Sequence, residues 1–138
     1  MRIGALVALL LSAAAPAGAA ELVVTVENIR SARGDVRLSV YASAAEWPDR
    51  SARDHDQSQP AREGSVVFRF ELPPGTYAAN GFHDENGNGK FDTNFLGVPQ
   101  EGYAFSNNVR PFLSAPSFEA ASFTLPPEGA AIAMRMMY

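Results

Sequence analysis

The stretch Asp84-Glu85-Asn86-Gly87-Asn88-Gly89-Lys90-Phe91-Asp92 carries the most chemistry per residue in this chain. Oxygen-bearing side chains stand at every second position, a glycine follows, and an aspartate closes the run. Calcium is a hard ion that takes six to eight oxygens at about 2.3–2.6 Å, and D-x-N-x-N-G is the opening of a loop that curls around it. Asp84, Asn86 and Asn88 supply side-chain oxygens, Gly89 permits the sharp turn, Lys90 offers its backbone carbonyl, and Asp92 binds directly or through water. The twelfth position, where a bidentate glutamate normally completes such a loop, is Phe95. Glu101 or a residue of another strand has to make up the missing oxygens. With two charged ligands the expected site is weak, in the range of roughly 10⁻⁴ to 10⁻³ M used by extracellular modules. The plain alternative is a bare hairpin tip, since Asn86-Gly87 and Asn88-Gly89 are both good turn dipeptides. Acidic residues at both ends of the loop are what that alternative leaves unexplained.

His83 adjoins Asp84 and is the natural candidate for a general base, with Asp84 or Glu101 as partner in a hydrolase-like site. No cysteine is available as nucleophile, and the other histidine, His55, lies in a polar stretch. No serine sits in a nucleophile-elbow pattern. A histidine at a strand end more often brackets its loop by hydrogen bonds, and no second histidine supports transition-metal ligation. The catalytic set is therefore left empty. Downstream, Phe95, Tyr103, Phe105, Phe112 and Phe118 crowd a loop-like stretch. Two roles fit them: a lid folded over one end of the domain, or an exposed platform for a protein or glycan partner.

These residues need a scaffold, and its elements read as strands. Leu22, Val24 and Val26 alternate with polar residues, as do Val36, Leu38 and Val40, and again Val66, Phe68, Phe70 and Leu72. A period of two marks a strand with one buried face. The first two strands are expected to form a hairpin through Ser31 to Gly34. Pro73-Pro74-Gly75 forces a turn into a strand over Thr76 to His83. Its inward face is ambiguous. Burying Asn80 without partners costs more than burying alanine and glycine, so Tyr77, Ala79, Gly81 and His83 are assigned to the core. Ala44 to Gly64 reads as a surface loop with a helical turn near Ala44 to Trp47. Residues 84–117 read as a long Gly/Asn/aromatic loop, Phe118 to Ala121 as a short helical turn, and Ser122 to Leu125 and Ala130 to Tyr138 as closing strands. Six or seven short strands with Gly/Pro turns predict an all-β fold, a single antiparallel β-sandwich. An outer-membrane barrel needs at least eight strands of about ten residues, which this pattern lacks.

The chain begins with Met1 and Arg2, an apolar run from Ile3 to Ala15, and the small residues Ala17-Gly18-Ala19. That order of charge, apolar stretch and cleavage site is a secretory signal, with cleavage expected before Ala20 or Glu21. The run is shorter than the roughly 20 residues needed to span a bilayer, so no transmembrane segment is expected in the mature chain. Removing 20 of 138 residues leaves 118, enough for one domain over 21–138. Loss of Arg2 takes the formal charge from −4 to −5. Without a basic patch, nucleic-acid binding is not expected. The expected address is periplasmic or secreted, and the expected state a monomer. An exported chain with no cysteine must be held by packing and, where bound, by an ion.

Gly75-Thr76-Tyr77, Phe82-His83-Asp84 through Asp92, Asn94-Phe95-Leu96-Gly97-Val98-Pro99, Glu101-Gly102-Tyr103, Phe105-Ser106-Asn107-Asn108 and Pro116 to Ala121 together resemble domain-of-unknown-function family 2141, small exported bacterial proteins. The resemblance spans essentially the whole mature chain. It implies export and an Ig-like or transthyretin-like sandwich, and supplies no reaction. Ala79 and Gly81 stand where bulkier apolar residues are common in that family. The reading as a whole is an exported, non-enzymatic sandwich module with a calcium loop and a protein or glycan partner. A hydrolase-like enzyme and a purely structural envelope protein are its rivals.

Overall fold

A computed structural model of the chain describes residues 18–49 and 55–138. The expected signal segment lies almost wholly outside these residues. The described chain is all-β apart from one turn of helix, and its strands form two packed sheets. Strands β1 (Ala20–Ile29), β4 (Gly64–Leu72) and β8 (Ala130–Arg135) make the first, in the order β4-β1-β8. In the second, β3 (His55–Pro60), β2 (Asp35–Tyr41), β5 (Gly75–Asp84) and β6 (Tyr103–Phe105) run side by side, and β7 (Phe123–Leu125) pairs with the start of β5. Helix α1 spans Phe118–Ala121, and among the described residues no helix is long and apolar enough to cross a membrane.

The three alternating patterns form strands as their periodicity requires. Leu22, Val24 and Val26 of β1 face Phe70, Phe68 and Val66 of β4 in register. Val36, Leu38 and Val40 of β2 complete the apolar layer from the other sheet. The expected β1–β2 hairpin does not form. β1 pairs with β4 and with β8, while β2 pairs with β3 and β5, so the chain crosses between sheets at Ser31 to Gly34. The apolar faces of β1 and β2 thus meet across the sandwich, each in its own sheet. One pairing departs from an antiparallel pattern: β8 runs parallel to β1, Leu22 opposite Ala130 through Glu27 opposite Arg135.

Part of the expected surface loop at 44–64 is also a strand. His55 to Pro60 carries no apolar pattern, yet pairs with β2 from Val40–His55 to Asp35–Pro60. At the sheet edge, backbone hydrogen bonds suffice, and Gln57 and Gln59 donate their side-chain amides to the carbonyls of Arg69 and Val67 on β4. The turn near Ala44 to Trp47 is present, with the Glu46 N–H donating to Ser43 O at 3.3 Å and Asp49 to Glu46 at 2.8 Å.

Strand β5 resolves the face ambiguity in an unexpected way, because every residue from Tyr77 to Asp84 is buried. Tyr77 and Ala79 join the core between the sheets as assigned. The opposite face, with Ala78, Asn80 and Phe82, is buried as well, beneath the 84–117 segment and the turn at Trp47. That segment is not uniformly loop: Tyr103–Phe105 pairs with β5 from Phe82 to Asn80, and Ser106–Asn108 makes a 3-10 turn. The small residue at Gly81 has a local cause, since a side chain there would press on the carbonyl of Arg37 at 2.9 Å and on Leu38 at 3.3 Å.

Gly34 fixes the crossing. Its φ is +66°, and an added Cβ would collide with the carbonyl oxygen of Asp84. Gly87 has φ +69° but open space around it. Gly87→Ala should therefore cost only the left-handed penalty of about 1–2 kcal/mol. Gly34→Ala should cost distinctly more, read as a lower midpoint in urea unfolding of the two variants side by side.

Candidate functional site

The predicted metal loop begins where β5 ends. Asp84 is the last strand residue and is completely buried. Its Oδ2 accepts the N–H of Gly89 at 2.8 Å and lies 3.4 Å from Nε of Arg37 on β2. Its Oδ1 is buried without a hydrogen-bond partner. Gly89 has φ +75°, so the turn takes the left-handed conformation that the glycine in the motif allows.

Beyond Asp84 the chain curls through two Asx turns. Asn86 Oδ1 accepts the N–H of Asn88 at 3.2 Å, and Asn88 Oδ1 accepts that of Lys90 at 2.9 Å. Both carboxamides turn their Nδ2 groups onto Asp92, at 2.7 Å from Asn86 and 2.9 Å from Asn88. These amide donors hold the Asp92 carboxyl below its usual range. Three of the five predicted ligands, Asn86, Asn88 and Asp92, are thus brought together. Asp84 is tied to the other end of the turn through Gly89. Lys90, expected to offer its carbonyl, is exposed and is held in the turn by its N–H to Asn88.

Glu101 closes the loop from across. It is buried, and its Oε1 accepts the Asp92 N–H at 2.9 Å while Oε2 accepts the Glu85 N–H at 3.1 Å. Burial, helped by the negative charges of Asp92 and Asp84, pushes its carboxyl upward. Among the described residues no three histidine, cysteine, aspartate or glutamate side chains converge in the manner of a formed metal centre. Asp84 and Glu101 each accept backbone N–H groups of the loop, while the Asp92 carboxylate accepts the Asn86 and Asn88 amides. As a donor set the loop is all oxygen, with one orphaned carboxylate oxygen, which suits a hard cation better than a transition metal.

His83 is fully buried on the inner side of β5. Nε2 lies 2.7 Å from the carbonyl of Arg33, so it carries the proton and donates. Nδ1 lies 2.8 Å from the hydroxyl of Tyr138, which also accepts the N–H of Arg30 at 3.0 Å. Both ring nitrogens are thereby engaged, Nε2 with a carbonyl and Nδ1 with a hydroxyl. The histidine brackets its loop and the chain end. It has no free nitrogen for general-base chemistry with Asp84 or Glu101.

The downstream aromatics divide by exposure into a packed set and an exposed pair. Trp47, absent from that list, sits at their centre, with ring centroids 5.3 Å from Tyr41, 5.9 Å from Phe105 and 6.3 Å from Phe118. Contacts continue from Phe105 to Tyr103, to Phe91 and to Phe82, at 6.0, 6.2 and 5.6 Å. This edge-to-face chain is the lid over the outer face of β5. Phe95 and Phe112 stay out of it, 95% and 84% exposed, beside the exposed Leu96 and Leu113. Ser106 locks the lid down: its Oγ accepts the Ala79 N–H at 3.0 Å and faces the carbonyls of Ala79 and Ala121.

Residues 24–133, which contain the loop, the lid and most of both sheets, match the model of the family described as an uncharacterized protein conserved in bacteria, DUF2141. The chain belongs to this family. No curated protein and no solved structure matches it. Membership spans the whole site, from the crossing at Gly34 to the last strand, and brings no assigned reaction.

Sequence reasoning missed Arg37, Glu85 and Arg30. Glu85 takes a charged hydrogen bond from Arg30 and a second, at 2.9 Å, from the hydroxyl of Ser31, with Arg33 at 3.3 Å. These tie the C-terminal end of β5 to the β1–β2 crossing. Only the clustering of Arg30, Ser31 and Arg33 hinted at an acidic partner. The Arg30 guanidinium is the chief reason that the Glu85 carboxyl falls from 4.5 to about 2, with Ser31 assisting and burial opposing. A carboxyl depressed in the fold adds stability above its unfolded value and loses it as pH falls through its folded value. Acid titration of unfolding should therefore show a loss between about pH 4.5 and pH 2 that Glu85→Gln removes. Equal slopes for the two proteins over that window would refute the assignment.

Proposed function

We propose that this chain is an exported, non-enzymatic β-sandwich module whose Asp84–Asp92 loop takes up calcium and thereby sets the aromatic segment against a protein or glycan partner. One observation carries the reading: the completely buried Asp84 carboxylate has an oxygen with no partner. Leaving a buried charged acceptor unsatisfied is costly, and a cation beside Oδ1 offsets that cost. The Oδ2–Gly89 bond already curls the chain as a calcium loop needs. Asn86 and Asn88 would then present Oδ1 in place of Nδ2, Asp92 its carboxylate and Lys90 its carbonyl. Glu101, held across the loop, stands closest to the role of the glutamate missing at Phe95.

The partner side of the reading is supported by Phe95, Leu96, Phe112 and Leu113, large apolar side chains that remain exposed while their neighbours pack. Export rests on the Met1 to Ala19 pattern, and it would deliver the loop to a periplasmic or extracellular medium. A mature chain starting at Ala20 keeps that buried alanine, which pairs with Leu72 at the head of β1.

Calcium that binds only the folded chain must stabilise it by mass action. At about 10 mM calcium and a Kd of about 1 mM, the gain is about 1.4 kcal/mol, a rise in Tm of several degrees. Scanning calorimetry of the chain in calcium and in chelator should show that rise, and Asp84→Asn should abolish it. Superimposed curves for the unaltered chain would end the calcium reading.

A further inference from the structure

Arg37 of β2 is the basic side chain that the fold sets against the buried Asp84. Strand register puts it there. Arg37 lies opposite Phe82 and Asp35 lies opposite Asp84, so these four side chains share the outer face. The two aspartates are like charges directly across the ladder, an arrangement that a neighbouring positive charge offsets. Nε of Arg37 stands 3.4 Å from Asp84 Oδ2, and Nη2 lies over Gly89, 3.8 Å from where a Cβ would be. Asp84 has no exposed side-chain surface, whereas Arg37 keeps 29% of its own in solvent. The pair is close but poorly joined, since Arg37 Nε and Asp84 Oδ1 are both buried without a hydrogen-bond partner. A guanidinium built to brace a carboxylate meets it through two parallel N–H groups. Here the charge is balanced and the hydrogen bonding is not, which is the geometry of a counter-ion able to leave.

We propose that Arg37 is the built-in counter-ion of Asp84 when no metal is bound, and that calcium enters the loop by displacing the guanidinium from that carboxylate. This role rests on the calcium reading of the same loop and adds its regulation. Displacement exchanges one positive charge for another beside a single acidic group. A monovalent ion replaces +1 by +1 and gains little, whereas calcium brings +2, so the exchange favours a divalent ion. Calcium still has to overcome the attraction it replaces, which gives the weakness of the site a cause besides the missing twelfth ligand. Burial of Asp84 makes the arrangement necessary. With neither the ion nor Arg37 beside it, a charged carboxylate would stand uncompensated in the interior. One side chain thus lets the chain fold without calcium and makes calcium compete for its place.

The test is calorimetric titration with calcium chloride of the unaltered chain, of Arg37→Met and of Arg33→Met. The last removes an exposed arginine that pairs with Glu85 instead. Arg37→Met should bind calcium at least about tenfold more tightly, and Arg33→Met within about twofold of the unaltered chain. In chelator Arg37→Met should melt below the unaltered chain, and about 10 mM calcium should close that gap by mass action. Should Arg37→Met not fold, the exchange is read by NMR in the unaltered chain. Calcium should shift the Arg37 Nε–H resonance, while that of Arg30, bonded to Glu85 at 2.9 Å, stays in place. Equal calcium affinity in the unaltered chain and Arg37→Met overturns the role of Arg37 and leaves the calcium reading standing. An Arg37 resonance unmoved at saturating calcium does the same. Calcium binding by neither chain ends both readings. Binding by Arg37→Met alone supports displacement and ends calcium uptake by the unaltered chain. Sodium and choline chloride at equal ionic strength should leave the calcium affinity of the unaltered chain alike; a loss specific to sodium overturns the preference for a divalent ion.

Discussion

From Tyr77 to Asp84 strand β5 is buried on both faces, although a sandwich of this size can cover only one with its second sheet. The chain must therefore furnish a second cover, and much of its sequence after Asp84 does so. Ala79 and Tyr77 meet the core of Leu22, Leu38 and Phe68, while Ala78 and Phe82 meet the lid. The two covers differ in kind. The inner one is aliphatic and regular, built from strands in register. The outer one is an aromatic chain with edge-to-face geometry, pinned at intervals by Trp47 Nε1 to the Pro116 carbonyl at 2.7 Å and by the Ser106 hydroxyl. Asn107 adds bonds to the carbonyls of Ala120 and Ser122, and Asn108 accepts from the N–H of Arg135. Polar fasteners are needed because irregular backbone beneath a lid has no ladder to satisfy it.

The end of β5 shows how three consecutive polar residues can each serve a different part of the fold. His83 points inward and fastens the chain end through Tyr138 and the crossing through Arg33. Asp84 points outward to Arg37 and Gly89, and Glu85 returns to Arg30 and Ser31. Alternation along a strand makes this possible, since neighbours face opposite sides of the sheet. Apart from the Asp84–Gly89 bond, these contacts are long-range in sequence. Together they explain how a chain with no disulfide holds the two ends of its domain against one loop.

This division also explains what the sequence could and could not disclose. β1, β2 and β4 were legible because each buries one face and exposes the other, and the D-x-N-x-N-G turn was legible because its glycine and Asx bonds are local. The pairing of β1 was not, since an apolar face fits equally well beside or across from another. β3 was illegible for the opposite reason: HDQSQP buries no apolar face and is a strand only because β2 offers it backbone partners. For β5 the periodicity was lost because both faces are buried, and the argument against burying Asn80 was sound chemistry applied to a position that violates it. Trp47 escaped attention as one ring in a polar stretch, though its neighbours on the lid lie more than 50 residues downstream.

Phe91 belongs at once to the Asp84–Asp92 loop and to the lid, where it packs on Phe82 and Tyr103. Backbone bonds flank it on both sides, from Gly89 to the Asp84 carboxylate and from Asp92 to Glu101. Local turn chemistry therefore sets the loop's curl, and the buried ring sets where that curl sits on the outer face of β5. Neither would suffice alone, because an Asx turn fixes a few dihedrals without anchoring them to the domain, and a packed ring anchors one residue without ordering its neighbours.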